Sequence, residues 1–213
     1  MGAVGGRRLR RVGADGLLIE CAGSGEAAAL AAWIAEHVDP RPVELVPAAS
    51  TVLVAAVPGG GDALRAALAD APPAAELADR PGDAGPPVRI PVRYDGPDLA
   101  ETAAALGISS ERLVGEHAAA AWHVDFIGFA PGFGYCSAPD WPHRVPRLDS
   151  PRERVPVGAV AIADGWSSVY PRASPGGWRI IGTTAATLWD PERTPPALLA
   201  AGAAVRFEPE AGR

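Results

Sequence analysis

Two Pro-Gly segments set among aromatic residues are the part of this sequence best suited to binding a ligand. They place proline and glycine beside large rings: Pro131, Gly132 and Phe133 in the first, and Tyr170, Pro175, Gly176 and Gly177 in the second. A Pro-Gly pair fits the central positions of a type II turn, where glycine supplies the positive φ. Glycine also exposes main-chain N–H groups, which can hold an anion. We therefore expect two such turns to form part of a substrate-binding site, or else to be barrel corners whose glycines only relieve crowding.

The arginines of PRLDSPRERVPVGAV (146–160) are a second candidate for anion binding. Arg147, Arg152 and Arg154 are interspersed with prolines, which stiffen the segment that carries them. A guanidinium group binds a carboxylate or phosphate through two parallel hydrogen bonds. We therefore expect Arg147 or Arg154 to balance the charge of a substrate, and solvated surface charge is the competing interpretation.

His117 is the candidate for proton transfer, because histidine is the side chain that titrates near neutral pH. It falls at the end of a predicted helix, so the alternative is a helix-end cap or a partly buried hydrogen-bonding group. His123 and His143 are interpreted as structural. Cys136 has no neighbours at the spacing of a catalytic triad, and we expect it to be a small apolar core residue.

The first part of the chain shows an alternation of strand and helix patterns. These patterns predict, in order, a strand at 17–21, a helix at 25–38, two strands within 43–57 that break at Pro47, and a helix from Asp62 to Leu68. We take Asp62 as the helix cap. This order predicts an α+β domain of the ferredoxin-like kind over residues 1–80.

The second part of the chain follows a segment, residues 72–87, that is rich in proline, glycine, aspartate and alanine and predicts a domain boundary. After a strand in VRIPVRY, Asp98 begins a short helix that ends at Gly107, and Ser109 begins another. From Trp122 onward, short apolar runs are broken by proline and glycine at intervals typical of a barrel or sandwich. Residues 86–213 are therefore predicted to be mainly β.

Composition excludes several classes of function. The net charge is -6 and all 19 basic residues are arginine, so neither a nucleic-acid surface nor any chemistry that needs lysine is expected. Two cysteines are too few for disulfide bonds to stabilise a domain of this size, which favours a location in the reducing cytoplasm. The sequence predicts no signal peptide, no membrane span and no metal site.

Six segments together resemble the allophanate hydrolase subunit 1 family. In order they are GPDL (96–99), His117, GFAPGFGY (128–135), SPRERVPVGAVAIA (150–163), VYPRASPGGWRIIG (169–182) and WDP (189–191). That family includes the B component of 5-oxoprolinase, sporulation-kinase inhibitor proteins and one subdomain of the urea carboxylase carboxyltransferase region. The resemblance implies a ferredoxin-like domain followed by a cyclophilin-like β-barrel.

The resemblance also implies a function shared with a partner. Family members work with a larger cyclophilin-like subunit, known as allophanate hydrolase subunit 2 or as the C component of 5-oxoprolinase. We therefore expect this chain to be the smaller subunit of an ATP-dependent amide-hydrolysing complex that acts on 5-oxoproline or a urea-derived compound. Whether ATP touches this subunit stays open. The alternative is a module that binds and inhibits a histidine kinase, with exposed rings such as Phe133 as anchors.

Several residues depart from the family pattern. Trp166 stands in place of the usual glutamine, Ser168 in place of glycine, Thr183 in place of arginine, and Cys136 in place of leucine. Loss of an amide and a guanidinium removes donors that could orient an anionic substrate. An altered substrate, or a subunit without chemistry of its own, is therefore compatible with the sequence.

Overall fold

The computed structural model describes residues 2–39, 42–77 and 85–210. The chain divides into two compact units, residues 1–82 and 83–213. The domain boundary expected between residues 80 and 86 falls largely on 78–84, which lie outside the described residues.

The first unit is one antiparallel sheet with helices. Its strands are β1 (Gly2–Val4), β2 (Arg7–Val12), β3 (Gly16–Glu20), β4 (Glu44–Pro47) and β5 (Thr51–Ala55). Its helices are α1 (Ser24–His37), α2 (Gly61–Ala67), which continues into a 3-10 turn (Leu68–Asp70), and α3 (Ala74–Leu77). The predicted strand at 17–21, the helix at 25–38 and the break near Pro47 are confirmed to within a few residues.

The sheet order of the first unit is β1-β2-β3-β5-β4. The sequence β3-α1-β4-β5-α2 supplies five of the six elements of a ferredoxin-like βαββαβ unit. No strand follows α2 within residues 68–77, and β2, from the start of the chain, pairs with β3 instead. The described part of this unit therefore has a strand arrangement that the sequence pattern did not predict.

The start of α2 differs from the expected cap. The helix begins at Gly61 with Gly60 as its N-cap, and Asp62 lies in the first turn without capping it. The carboxylate of Asp15 instead accepts hydrogen bonds from the main-chain N–H groups of Gly59 and Gly61, at 3.0 and 3.1 Å. A distant carboxylate therefore satisfies amide groups at the helix start that local sequence assigned to Asp62.

The second unit is mainly β. Its strands are β6 (Val88–Val92), β7 (Trp122–Ile127), β8 (Gly134–Ser137), β9 (Arg152–Val155), β10 (Ala159–Ala163), β11 (Trp166–Val169), β12 (Ser174–Gly176), β13 (Arg179–Thr183) and β14 (Ala204–Pro209). Its helices are α4 (Leu99–Ala105) and α5 (Ser110–Ala119). The predicted cap at Ser109 is confirmed, because its side chain accepts a hydrogen bond from the N–H of Arg112. Asp98 precedes α4 as predicted, but its carboxylate does not cap the helix and instead accepts from Arg152 and from the N–H of Ile180, at 2.6 and 2.7 Å.

Seven strands form a nearly closed barrel in the order β13-β10-β11-β8-β7-β14-β6. Arg93, just after β6, exchanges main-chain hydrogen bonds of 2.9 and 2.8 Å with Thr183 at the end of β13. This contact connects the two edge strands of the sheet, β6 and β13. The expectation of a barrel is therefore confirmed, and β9 and β12 form a separate two-stranded sheet.

Candidate functional site

Residues of both Pro-Gly segments line one pocket of the second unit. Its volume is about 100 Å³. The lining residues are Phe129, Phe133, Tyr135, Arg147, Tyr170, Gly176, Gly177 and Trp178. Five of them, Phe133, Arg147, Tyr170, Gly176 and Gly177, are residues to which the sequence assigned substrate binding.

Strand register brings the rings of the pocket onto one face of the barrel. In the β10-β11 pair Ala161 lies opposite Ser168 and Ala163 opposite Trp166, and alternation places Tyr170 on the same face. Three alanines of β10, at positions 159, 161 and 163, pack in the same buried cluster as these rings. Small side chains on β10 leave the volume that the rings fill.

The rings form an aromatic cluster in which most pairs meet edge to face. Its members are Phe126, Phe129, Phe133, Tyr135, Trp166, Tyr170 and Trp178. Phe133 lies at its centre, with ring centroids 5.3 Å from Tyr170 and 5.5 Å from Trp178. This packing fixes the walls of the pocket, since edge-to-face pairs add to the stability gained from burial.

The sequence did not select three lining residues: Phe129, Tyr135 and Trp178. Tyr135 is two residues beyond Phe133 on an extended segment, and period-2 alternation would have placed both on one face. Phe129 has φ of 63° and a side chain that is 58% exposed. It is the exposed ring of the first segment, whereas Phe133 is 2% exposed. The expectation that Phe133 is an exposed interface anchor is therefore wrong.

The two Pro-Gly segments differ in backbone conformation. Ala130 accepts a hydrogen bond from the N–H of Phe133 at 2.9 Å, and Gly132 has φ of 82°. A type II turn with Pro131 and Gly132 at its centre is thus confirmed. The second predicted turn is wrong, because Pro175 and Gly176 belong to β12 and Gly176 has no positive φ.

The glycines at 132 and 176 also prevent close contacts. A Cβ atom at Gly132 would lie 3.0 Å from the carbonyl oxygen of Leu188, and one at Gly176 would lie 2.3 Å from the Tyr170 hydroxyl oxygen. Both glycines therefore relieve crowding, which agrees with one part of the alternative interpretation and does not exclude substrate binding. Pro131, Gly132 and Pro175 do not line the pocket.

The three arginines of the 146–160 segment have different environments. Arg147 is exposed at the pocket, and it forms no ion pair or hydrogen bond with any residue that the structure describes. Arg152 forms an ion pair with buried Asp98, at 2.6 Å from Nη2 to Oδ1. Arg154 is exposed and does not line the pocket. Arg147 is therefore the guanidinium that is available to an anion in the pocket.

Two phenols face this guanidinium. Burial raises the pKa of Tyr170, while a hydrogen bond from the Trp178 main chain and the charges of Arg147 and Arg152 act in the opposite direction. Burial also raises the pKa of Tyr135, again opposed by Arg147. Both phenols are therefore protonated at neutral pH, and each can donate a hydrogen bond.

His117 lies in the barrel core and does not line the pocket. Its side chain is fully buried, and burial lowers its pKa to about 3. Nδ1 is 2.8 Å from the Tyr94 hydroxyl, and Nε2 is 2.8 Å from the Ser167 hydroxyl. Both ring nitrogens are thus occupied, so the structure places no free proton acceptor of His117 near a substrate. This environment favours the alternative of a buried hydrogen-bonding group.

The remaining polar candidates lie outside the pocket. Cys136 is buried, and burial raises the pKa of its thiol, which opposes a role as nucleophile. His123 contacts Asp125 at 2.8 Å, and that contact raises the pKa of His123. His143 contacts Glu116. These contacts agree with structural roles for both histidines.

The departures from the family pattern lie at two places. Trp166 packs edge to face on Tyr135, with centroids 5.9 Å apart, and so extends the aromatic cluster. Ser168 is fully buried on the same face. Thr183 lies instead at the barrel closure, where its hydroxyl donates to Asp95 at 2.9 Å. Trp166 therefore adds bulk beside a pocket residue.

Within the part of the chain that the structure describes, no group of three or more histidine, cysteine or acidic side chains is placed to hold a metal ion. No helix among residues 2–39, 42–77 and 85–210 has the length and apolar character needed to span a membrane.

Comparison with known proteins identifies relatives of this chain. The B component of 5-oxoprolinase from Escherichia coli O157:H7 is 46% identical over 127 residues, which are 58% of this chain and 58% of that protein. The B component of 5-oxoprolinase from Bacillus subtilis (strain 168) is 42% identical over 123 residues, 56% of this chain and 51% of that protein. The chain therefore spans little more than half the length of these relatives.

A solved structure shares both the fold and part of the sequence. The crystal structure of TTHA0988 superposes on 97% of this chain with a TM-score of 0.75 and 32% identity, and this chain spans 41% of that one. Residues 7–199 match the family described as "Carboxyltransferase domain, subdomain C and D". The resemblance found in the sequence is thus confirmed, and the chain belongs to this carboxyltransferase-domain family, to which the B components of 5-oxoprolinase are related.

Proposed function

We propose that the chain is the smaller subunit of a cytoplasmic complex that hydrolyses the amide bond of 5-oxoproline or a urea-derived compound. The observation that carries this proposal is the pocket in which the unpaired Arg147 guanidinium lies beside two phenols and several rings. Relatives named as B components of 5-oxoprolinase support the type of reaction.

The pocket suits a small anion with an apolar frame. Arg147 would bind the carboxylate of the substrate, and the rings of Phe129 and Phe133 would pack against its carbon atoms. With a volume of about 100 Å³, the pocket suits a small molecule rather than a large one.

This pocket does not fit ATP. Sites for ligands of drug size measure about 300–1,000 Å³, and this pocket has about 100 Å³. The chain also contains no lysine to contact the phosphates. We therefore assign the use of ATP to another part of the complex and derive no step through it.

The proposed partner is the larger cyclophilin-like subunit, allophanate hydrolase subunit 2 or the C component of 5-oxoprolinase. The length of related chains supports a partner, because this chain corresponds to only 41% of TTHA0988. A related unit is thus part of a longer polypeptide in that protein. In the proposed complex the partner supplies the remaining surface of the site and the groups that activate the amide.

The test is co-expression of the chain with the larger subunit, followed by an assay for 5-oxoproline-dependent ATP turnover. Turnover that requires both subunits would support the proposal. A chain that instead binds a histidine kinase without the larger subunit, with no turnover in any combination, would contradict it and favour the kinase-inhibitor alternative. Substitution of Phe129 then tests whether the exposed ring contacts the kinase.

A further inference from the structure

The hydroxyl of Tyr170 is held against the backbone of β12. A Cβ atom at Gly176 would lie 2.3 Å from the hydroxyl oxygen, 2.9 Å from Cζ and 3.0 Å from Cε1. Any residue other than glycine at position 176 would therefore displace the phenol. The ring is also packed between Phe133, at a centroid distance of 5.3 Å, and Phe129, at 6.1 Å.

The Tyr170 hydroxyl keeps its donor free toward the pocket. The Tyr170 O–H has no acceptor among the hydrogen bonds found between described residues, and Tyr170 lines the pocket. Because a phenol can donate as well as accept, this O–H can donate to a ligand in the pocket.

We infer that Tyr170 donates a hydrogen bond to the carbonyl oxygen of the substrate amide, and that Gly176 positions its hydroxyl. This inference rests on the proposed function. When water adds to the amide carbon, negative charge develops on the carbonyl oxygen, and a fixed donor stabilises that charge. Collapse of this oxyanion breaks the C–N bond, and a proton of the attacking water passes to the leaving nitrogen. Tyr170 keeps its proton throughout, so its hydroxyl takes no part in proton transfer. Burial favours this protonated form.

Tyr135 offers a matched comparison within the same pocket. It is also a phenol near Arg147, but its ring stacks on Phe126 at 4.4 Å. Two phenols of the same chemistry thus differ in their surroundings. The Tyr170 hydroxyl lies directly against the backbone at Gly176, as a preorganised donor requires.

The experiment compares Tyr170→Phe with Tyr135→Phe, each of which removes one hydroxyl group. In the co-assembled complex Tyr170→Phe is expected to lower kcat about 100-fold, as loss of one oxyanion donor does, with KM changed by only about 2- to 10-fold. Tyr135→Phe is expected to lower kcat by no more than about tenfold, which is at most a tenth of the loss expected for Tyr170→Phe. Thermal unfolding of each variant confirms that it folds.

A second pair tests the positioning of the hydroxyl. Gly176→Ala is expected to lower kcat about as much as Tyr170→Phe does. Gly177→Ala is the control, because an added Cβ at Gly177 meets no atom nearer than 3.7 Å, and it should lower kcat less. The double variant Tyr170→Phe/Gly176→Ala should lose no more than about twofold beyond Tyr170→Phe, because both changes remove the same interaction. Additive losses would overturn the role of Gly176.

Binding of 5-oxoproline to the isolated chain separates the two proposals. If the wild-type chain binds but Tyr170→Phe binds and turns over equally well, the inference is overturned and the proposed function stands. If neither the wild-type chain nor the complex uses 5-oxoproline or a urea-derived compound, both are overturned. A structure of the wild-type chain with 5-oxoproline should place its carbonyl oxygen within hydrogen-bond distance of Tyr170 Oη, and an orientation away from Tyr170 would contradict the inference.

Discussion

His117 Nε2 lies 2.8 Å from the Ser167 hydroxyl inside the barrel, so the last turn of α5 is linked to β11 by a buried hydrogen bond. The Tyr94 hydroxyl, also at 2.8 Å, occupies Nδ1. One nitrogen of the neutral ring donates and the other accepts, and each hydroxyl can take the complementary role. The link therefore joins helix and barrel without a buried charge.

The buried position of His117 predicts acid sensitivity. Its pKa is about 3 in the folded chain and about 6.5 when unfolded, so the unfolded state binds the proton first as the pH falls. The stability due to neutral His117 is complete above pH of about 6.5 and is lost toward pH 3, by at most about 1.4 kcal/mol per pH unit. His117→Gln should be less stable at pH 7 but should lose less stability between pH 6.5 and 4.

Urea unfolding of both proteins across this range measures the difference. An identical pH dependence for the wild type and His117→Gln would contradict the prediction. We also expect the folded variant to retain turnover in the complex. Loss of turnover with a well-folded His117→Gln would restore the proton-transfer role that the sequence suggested.

Arg147 and Arg154 form a natural pair for testing charge in the pocket. Both are exposed arginines of one segment, but only Arg147 lines the pocket. Arg147→Ala is expected to weaken binding of 5-oxoproline by about 10- to 100-fold, since a hydrogen bond to a charged group contributes about 1.5–3 kcal/mol. Arg154→Ala should change it by less than about twofold. Calorimetric titration would detect the contrast, and equal effects would exclude a specific role for Arg147.

Phe129 is held in a strained conformation at the pocket rim. Its φ is 63°, and the N–H of Ala130 donates to the carbonyl of Gly128 at 2.6 Å, as in a γ-turn with positive φ at its central residue. Phe129→Gly should therefore be more stable than Phe129→Ala by about 1 kcal/mol, although both lose the ring. Ala32→Gly, in the exposed face of α1, should instead destabilise by about 1 kcal/mol. Denaturant unfolding measures the free energy of unfolding of all three variants. If Phe129→Ala were more stable than Phe129→Gly, the strain at Phe129 would be ruled out.

His123 predicts a pH effect opposite in sign to that of His117. The hydrogen bond to Asp125 raises its pKa in the folded chain. The stability gained from protonated His123 is therefore complete below pH of about 6.5 and is lost as the pH rises through the raised value. His123→Gln should lack this loss. Unfolding curves from pH 6 to 9 test it, and the effect is expected to be small because the side chain is 42% exposed.

Local chemistry was enough to predict many elements. Ser109 was recognised as a helix cap because a cap depends on residues a few positions away. The type II turn at Pro131 and Gly132 was predictable for the same reason. The hydrogen bond at the start of α2 was not predictable in this way, because the N–H of Gly61 donates to the carboxylate of Asp15, 46 positions earlier. Asp98 was placed correctly at the start of α4, but its carboxylate binds the N–H of Ile180, 82 positions later.

The sequence alone determined the family, every helix except α3, most strands, and the set of arginines, glycines and rings from which a binding site could be built. Only the tertiary structure decided which of them meet. Arg147 lies at the pocket and Arg154 does not, His117 is buried in the core, and the Tyr170 hydroxyl lies against Gly176. The reason is physical, because a side chain's contacts depend on strand register and on packing between segments distant in sequence, which local patterns do not encode.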